Sequence, residues 1–361
     1  MIKHLDEYRD TGLCMELAES IRRISSRPFR IMEVCGGHTM AVRKNGIHKM
    51  VGDNIELISG PGCPVCVTSV RDIDKIIAVS GIEGVAVCTF GDMVYVPGSR
   101  TSLAGARSSG ADVRTVYSAH DVLDFAKEEP DKDFVFVSVG FETTTPTTAA
   151  AIAQAEREGI SNFSALAFNK TMPNALGAVL RDENSRIEAL ICPGHVSTIT
   201  GIGMYRPIVE ELGVSCCITG FEPVDILGAI YKLAELREKG ETALINAYER
   251  AVREEGNIKA QGIMGEVFEP APVEWRGFGV IPSSGLKIRD KYRAFDAEKI
   301  YDVNVPEPAE TEGCSCADML RGAKKPADCK LFRKVCTPEN PMGACMVSSE
   351  GTCAAWFRYG A

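Results

Sequence analysis

The stretch FRIMEVCGGH, residues 29–38, joins a short apolar run to a glycine turn, and a stretch with helical spacing follows it. The same succession recurs along the chain. The predicted strands are Phe29–Val34, Ile55–Ile58, Gly84–Phe90, Asp112–Tyr117, Phe134–Val139, Ala165–Phe168, Glu188–Ile191 and Val214–Ile218. Because strands and helical stretches alternate, the sequence predicts an α/β fold of parallel sheets with helices on both faces.

The chain has 361 residues, which is enough for two or three domains with separate cores. We expect two Rossmann-like parallel-sheet domains over residues 1–120 and 121–255, followed by a small peripheral domain over 256–361. A helical stretch is predicted over Pro223–Gly256, with a break near Gly240. The chain beyond it is rich in proline and glycine and has little periodicity, so we expect its cysteines to stabilise it.

The composition argues against several classes of protein. Lys and Arg total 40 and Asp and Glu total 49, which leaves a net charge of −9. A net acidic chain is a poor candidate for binding nucleic acid or an anionic membrane surface. The N-terminal segment lacks the apolar core of a secretory signal, and no apolar run is long enough to predict a membrane span. We therefore expect a cytoplasmic protein.

Cysteine is unusually abundant, with 14 residues against five histidines. Structural disulfides are rare in a reducing cytoplasm, so thiol chemistry or metal binding is the leading interpretation. The distribution is uneven, because six of the cysteines crowd between Cys314 and Cys353.

Two turns that follow predicted strands place histidines and a cysteine where α/β sheets bind ligands, beyond the carboxyl ends of the strands. The turn CGGH, residues 35–38, brings the Cys35 thiol near the His38 imidazole; a buried core cysteine is the alternative. The turn PGHVS, residues 193–197, presents His195 as a proton donor or a ligand, or as a structural histidine.

A third turn, GPGCPVC at residues 60–66, carries Cys63 and Cys66 before a helical stretch. A C-x-x-C at a helix N-terminus favours the thiolate, because the helix dipole and free amides stabilise negative charge. Such a pair can exchange as a disulfide or hold a soft metal. Half of a structural zinc site is the alternative, although the chain contains no second C-x-x-C to complete it.

The six cysteines near the C-terminus exceed the four that an iron–sulfur cubane or a tetrahedral zinc requires, so a partition into four and two is expected. They are Cys314, Cys316, Cys329, Cys336, Cys345 and Cys353. Their spacing alone does not distinguish iron–sulfur from zinc.

These motifs together closely resemble the HypD family of [NiFe]-hydrogenase maturation. The stretches that carry the resemblance are CGGHT 35–39, GPGCPVC 60–66, PGHVS 193–197, CTP 336–338, MVSSEG 346–351 and CAAW 353–356, with GFETT 140–144 and EWRG 274–277 in support. The resemblance covers essentially the whole chain. One departure is Met40, where some members carry a histidine, so no ligand role is expected there.

The resemblance implies a scaffold on which the Fe(CN)2CO group of the hydrogenase is built, together with a HypC-like small chaperone and a HypE-like cyanide donor. Cys35 would hold the iron, sharing it with the N-terminal cysteine of the HypC-like partner. Cys63 and Cys66 would form a redox pair beside it, and His38 and His195 would line the same pocket. This is a maturation scaffold with redox activity rather than a conventional turnover enzyme, and thiolates suit so soft an iron centre.

The family's spacing of cluster ligands falls on Cys314, Cys329, Cys336 and Cys353, which implies a [4Fe–4S] cluster. Cys316 and Cys345 would then be a dithiol relay that passes electrons from the cluster to Cys63 and Cys66. Two other readings remain: a stand-alone, cluster-dependent thiol–disulfide oxidoreductase, which needs only the pair and the cluster, and a zinc-stapled binding module.

Overall fold

The computed structural model describes residues 6–183 and 185–360. The strands are β1 Phe29–Glu33, β2 Ile55–Ser59, β3 Val85–Thr89, β4 Asp112–Thr115, β5 Asp133–Ser138, β6 Phe163–Ala167, β7 Ala189–Pro193, β8 Ser215–Thr219, β9 Leu244–Asn246, β10 Phe268–Trp275 and β11 Gly279–Ile288. The first helices are α1 Thr11–Ile24, α2 Gly36–Lys44, α3 Ile47–Met50, α4 Pro64–Val67, α5 Val70–Ser80, α6 Leu103–Ser108, α7 Ala119–Glu128, α8 Thr145–Glu158 and α9 Met172–Leu180. They are followed by α10 Gly194–Thr200, α11 Arg206–Leu212, α12 Pro223–Lys239, α13 Ile258–Val267, α14 Ala297–Ile300, α15 Cys316–Leu320, α16 Ala344–Val347 and α17 Thr352–Tyr359.

Two parallel sheets form the body of the protein, which confirms the α/β expectation. The first sheet has the order β2-β1-β7-β8-β9, and the second has the order β4-β3-β5-β6. Helices α1 and α12 pack together on the first sheet, where Ile21 and Ile230 join Ile31 in one buried core. The second sheet lies between α7 and α8 on one face and α5 on the other. These are the layers that two Rossmann-like units require.

The two sheets cut across the division expected at residue 120. Strand β1 pairs with β7, for example Ile31 with Ala189, so the first sheet combines residues 29–59 with residues 189–246. The second sheet, residues 85–167, is an insertion between them. The physical reason is that the chain leaves the first sheet after β2, completes the second sheet, and returns to add β7 beside β1.

The chain beyond α12 is more regular than its proline content indicates. Strand β9 and a turn replace the helix that was expected to continue to Gly256. The stretch from Phe268 to Ile288 forms an antiparallel hairpin with a bulge between Ala271 and Val273. Both strands of a two-stranded sheet are edges, and prolines are tolerated there because no inner ladder loses a donor. The sequence analysis predicted neither of these two strands.

The hairpin connects the two sheets to the cysteine-rich region. The Arg276 N–H donates to the Val67 carbonyl oxygen at 2.9 Å, beside a bridge between Thr68 and Trp275. At the other end of β11, Leu286 N–H donates to the Asn169 carbonyl oxygen at 3.1 Å. The hairpin therefore holds the loop after α4 and the loop after β6 in one place.

The first sheet gathers the predicted turns at one edge. Cys35 follows β1, the GPGCPVC turn follows β2, His195 follows β7 and Phe221 follows β8. Because all four strands are parallel, their carboxyl ends meet on the same side of the sheet. In the described part of the chain, no helix combines the length and the apolar character needed to cross a bilayer.

Candidate functional site

Cys35 is the N-cap of α2 and follows β1, an inner strand of the first sheet. Burial raises the pKa of its thiol to about 12, and the nearby Glu350 carboxylate acts in the same direction. The amides of Gly37 and His38, at the start of the helix, lower that pKa by a smaller amount. The free thiol is therefore protonated at neutral pH, and binding a metal would displace its proton.

Glycines allow two other segments to lie directly against Cys35. A Cβ on Gly62 would come within 2.3 Å of the Cys35 amide nitrogen, and the Gly36 N–H donates to the Gly62 carbonyl oxygen at 3.0 Å. A Cβ on Gly36 would lie 2.5 Å from the Glu350 carbonyl oxygen. These contacts bring the GPGCPVC turn and the C-terminal tail onto the backbone around the thiol.

Cys63 and Cys66 form a disulfide at the N-terminus of α4, with their Cα atoms 5.2 Å apart. Both side chains are buried. The pair follows Gly62 and so adjoins the Cys35 backbone. On its other side, the Cys66 sulfur lies 3.9 Å from the carbonyl oxygen of Ala344, the residue before Cys345.

The imidazole rings of His38 and His195 both stack on the ring of Phe221. The ring centroids are 4.4 Å apart for His38 and 4.0 Å apart for His195. The His38 Nε2–H donates to the Gly220 carbonyl oxygen at 2.9 Å, and Nδ1 is buried without a partner in the described chain. Burial lowers the pKa of His38 to about 4, so its imidazole is neutral at physiological pH, and burial also lowers the pKa of His195.

An open cavity of about 470 Å³ lies beside this stack. His195, Phe221 and Glu350 line it together with Lys44 and an ion pair between Arg9 and Glu222. Sequence reasoning did not identify Phe221, Glu350 or Arg9 as site residues. The GFE turn that resembles residues 140–142 was the only local signal for Phe221. Glu350 lies in the MVSSEG stretch that supports the family resemblance, and nothing local marks Arg9.

The six C-terminal cysteines surround a single cavity, although they come from four separate segments of the tail. They are Cys314, Cys316, Cys329, Cys336, Cys345 and Cys353. The volume of this cavity is about 10 Å³. Burial raises the pKa of Cys314 to about 12 and that of Cys353 well above its usual value, and neighbouring thiols add to both shifts.

Two of the six cysteines are separate from the rest as a close pair. The sulfurs of Cys316 and Cys345 lie 2.6 Å apart and both side chains are buried. They are the two cysteines that the family resemblance leaves outside the four expected cluster ligands. Helices α15 and α16, which carry the pair, both contact α4 and its disulfide.

The other four thiols fit a polynuclear cluster in number and chemistry. Gly343 lies against them, and a Cβ there would stand 2.6 Å from the Cys314 sulfur. Across residues 6–183 and 185–360, no three His, Cys, Asp or Glu side chains lie close enough to hold a single ion. A cluster spreads its ligands around several iron atoms, so it does not need three ligands at one point.

The structure thus connects most predicted site residues through a series of neighbouring contacts. Cys35 adjoins the Cys63–Cys66 turn, that turn contacts the Cys316 and Cys345 helices, and those helices line the cysteine cavity. Five further cysteines are buried, namely Cys14, Cys88, Cys192, Cys216 and Cys217. Of these, Cys192 and Cys216 belong to the same core as Cys63 and Cys66, whereas the others lie in separate cores.

Comparisons with known proteins agree with this arrangement. The family model HypD, described as the hydrogenase formation hypA family, matches residues 12–360. A hydrogenase maturation factor HypD from Azotobacter vinelandii is 44% identical, over 99% of this chain and 97% of the relative. One from Rhodobacter capsulatus is 43% identical over 99% of this chain and 98% of its own length.

An archaeal relative extends the comparison. A putative hydrogenase expression/formation protein from Methanocaldococcus jannaschii is 42% identical, over 97% of this chain and 98% of the relative. The matches run through the two sheets and the cysteine-rich tail alike. The chain therefore belongs to the HypD family, which acts in hydrogenase maturation.

Proposed function

We propose that this protein is the scaffold on which the Fe(CN)2CO group of a [NiFe]-hydrogenase is assembled, with Cys35 as its iron ligand. The observation that carries the proposal is that two thiol-bearing segments from distant parts of the chain, the GPGCPVC turn and the C-terminal tail, lie against the turn that carries Cys35. The neutral imidazoles of His38 and His195 lie on the same side of the sheet. A soft iron centre with cyanide and carbon monoxide ligands suits a thiolate in a buried site.

The cavity beside the histidine stack gives partners access to this site. Cys35 alone leaves most coordination positions of the iron free, so the proposal includes a HypC-like chaperone that supplies a second thiolate. Cyanide is accepted from a HypE-like donor. The cavity opens to solvent and has both charge signs on its wall, Lys44 and Glu350, which supports docking of polar protein segments. We place these steps in the cytoplasm, where free thiols persist.

Electrons are proposed to enter through the tail. Cys314, Cys329, Cys336 and Cys353 would hold a [4Fe–4S] cluster, which supplies one electron at a time. The Cys63–Cys66 disulfide takes up two electrons and two protons and opens to two thiols. The close pair Cys316 and Cys345 stands between the cavity and that disulfide and would relay the electrons by thiol–disulfide exchange.

The scaffold proposal is tested by infrared spectroscopy of the protein purified without oxygen after co-expression with its maturation partners. We expect sharp bands in the region of metal-bound cyanide and carbon monoxide. The bands should disappear in Cys35→Ala and persist in Cys14→Ala, a matched change of another buried cysteine. Bands that survive in Cys35→Ala would refute the ligand assignment.

The relay is tested by the double variant Cys316→Ala/Cys345→Ala. Its iron and sulfide content should match the wild type, because the four cluster cysteines remain, whereas assembly of Fe(CN)2CO should stop. The double variant Cys216→Ala/Cys217→Ala, which removes two buried cysteines from β8, serves as the control. Continued assembly without Cys316 and Cys345 would contradict the relay.

A stand-alone, cluster-dependent thiol–disulfide oxidoreductase is the second candidate. The Cys63–Cys66 disulfide, which lies between the tail and Cys35, favours it. This function requires Cys63 and Cys66 but not Cys35. An empty cyanide and carbon monoxide region, with an intact cluster and functional partners, would favour the oxidoreductase. The position of Cys35, against Gly62 and within the electrostatic reach of Glu350, supports the scaffold instead.

A further inference from the structure

A short segment of the tail is strongly basic although the whole chain is acidic. Residues 321–336 contain six basic side chains and one acidic side chain, in a protein with a net charge of −9. The basic residues are Arg321, Lys324, Lys325, Lys330, Arg333 and Lys334. The same segment carries Cys329 and Cys336, two residues of the cysteine cavity.

Only the first three of these basic residues form ion pairs with carboxylates within the protein. Arg321 and Lys324 pair with Asp318, and Lys325 pairs with Glu56. Across the described residues, no carboxylate pairs with Lys330, Arg333 or Lys334, all of which are exposed.

Arg333 connects the unpaired charges to the last helix. Its guanidinium donates to the carbonyl oxygens of Trp356 and Phe357 at 3.2 Å, contacts that leave its positive charge uncompensated. Arg358 follows directly in α17 and is also exposed and without a carboxylate partner in the described chain. Lys330, Arg333, Lys334 and Arg358 are called the basic patch below.

The basic patch covers the wall of the cysteine cavity. Lys330 and Arg333 flank Leu331 and Phe332, whose side chains line the cavity from the inside. The Arg333 N–H donates to the Cys336 carbonyl oxygen at 3.2 Å. Cys329, next to Lys330, is one of the two least buried cysteines of the six. The patch therefore lies directly outside the cavity that would hold the cluster.

The loop that presents the patch is held in one conformation. The N–H groups of Lys334, Val335 and Cys336 all converge on the Leu331 carbonyl oxygen, at 3.0–3.2 Å. Arg333 has a positive φ of 58°, a conformation that an arginine adopts only where surrounding contacts hold it. A rigid presentation of charge distinguishes this patch from a solvated lysine-rich tail.

We infer that the basic patch is the docking surface for a small acidic one-electron carrier protein that reduces the cluster bound in the cysteine cavity. The inference rests on the proposed function, since it requires the cluster. Two reduced carriers lose one electron each, and the Cys63–Cys66 disulfide gains two electrons and two protons from solvent to become two thiols.

The composition of the patch favours this partner over nucleic acid. Two exposed side chains, Val335 and Tyr359, lie among the four charges, at 50% and 37% exposure. A few charges around a small apolar centre suit a brief redox encounter, which buries little area and depends on charge complementarity. Tight binding to a phosphate backbone needs a longer basic face.

The experiment uses the full-length protein purified without oxygen, with its iron and sulfide content measured first. A small acidic [2Fe–2S] ferredoxin, kept reduced, is the probe. The readout is the rate at which Cys63 and Cys66 become available to alkylation, measured by peptide mass spectrometry at low and at physiological ionic strength. Dithionite, a small reductant that needs no docking surface, provides the reference rate.

The patch variant is Lys330→Glu/Lys334→Glu/Arg358→Glu. The matched control is Arg100→Glu/Arg107→Glu/Lys259→Glu, which makes the same change in net charge at exposed residues near the second sheet. In the patch variant we expect the ferredoxin-driven rate at low salt to fall about tenfold or more, and its salt dependence to flatten. The rate with dithionite should not change, and the control should stay close to wild type.

Four results would overturn the inference. The first two are a ferredoxin-driven rate that is unchanged in the patch variant and a rate that falls equally in the control variant. The other two are a wild-type disulfide that is reduced by dithionite but not by ferredoxin, and a wild-type protein that binds a DNA duplex more tightly than it binds ferredoxin. Protein without iron and sulfide would instead refute the proposed cluster, and the docking inference with it. Iron analysis therefore separates failure of the proposed function from failure of the docking surface alone.

Discussion

The close approach of Gly62 to Cys35 makes the substitution Gly62→Ala a sharp test of the site. The added Cβ would lie 2.3 Å from the Cys35 nitrogen, 2.4 Å from its Cα and 2.4 Å from the Val34 carbonyl carbon. Ordinary contacts between such atoms are about 3.5–4.0 Å. All three neighbours are backbone atoms just after β1, an inner strand of the first sheet, so no flexible side chain can move aside.

The expected loss follows from overpacking a site that cannot relax. Inserting one methyl group into a well-packed region costs about 1–3 kcal/mol, and rigid neighbours place this case at the upper end. We expect the free energy of unfolding of Gly62→Ala to fall by about 2–3 kcal/mol. Alternatively the GPGCPVC turn moves away from Cys35, which preserves some stability but separates Cys63 from the proposed iron ligand.

Both outcomes are measurable. Urea denaturation followed by far-ultraviolet circular dichroism gives the stability, and the infrared bands of the co-expressed protein report on assembly. Gly228→Ala is the matched control, because Gly228 lies inside α12 and no atom lies within 4 Å of its added Cβ. That control should gain about 0.5–1 kcal/mol from helix propensity. A Gly62→Ala protein with wild-type stability and wild-type bands would refute the close-approach argument.

Three further predictions concern buried groups. Burial raises the pKa of Glu142 to about 7, so the folded state keeps a proton that the unfolded state releases above pH 4.5. Stability should therefore fall by up to about 3 kcal/mol as pH rises from 4.5 through 7, and Glu142→Gln should flatten this dependence in urea denaturation. Glu350→Gln should speed alkylation of Cys35 at pH 8, since the carboxylate raises the pKa of that thiol; an unchanged rate would leave burial as the only cause. Trp356→Ala removes a buried ring and should cost about 3 kcal/mol, whereas Tyr359→Ala, exposed on the same helix, should cost less than about 1 kcal/mol.

The strands were predictable because their signal is local. Each parallel strand has about five residues and is a run of β-branched and apolar side chains that ends at a turn. Eight of the nine parallel strands were predicted with bounds within a few residues of the observed ones. The missed strand, Leu244–Asn246, has only three residues and lies at a sheet edge. Strand pairing was not predictable in the same way. Nothing in the run around Ile31 specifies Ala189 as its neighbour, since both strands would fit either sheet.

The same distinction between local and long-range information applies to the candidate site. The sequence by itself determined which thiols and imidazoles are available, and that they follow strands, because strand-turn patterns are short-range. Only the tertiary structure placed Glu350 and Phe221 beside Cys35, since they come from the far end of the chain and from another strand. It also decided the state of the Cys35 thiol. A helix N-terminus favours the thiolate, but burial outweighs it and raises the pKa to about 12. Burial depends on every segment that packs over a residue, so it emerges only when the chain is folded.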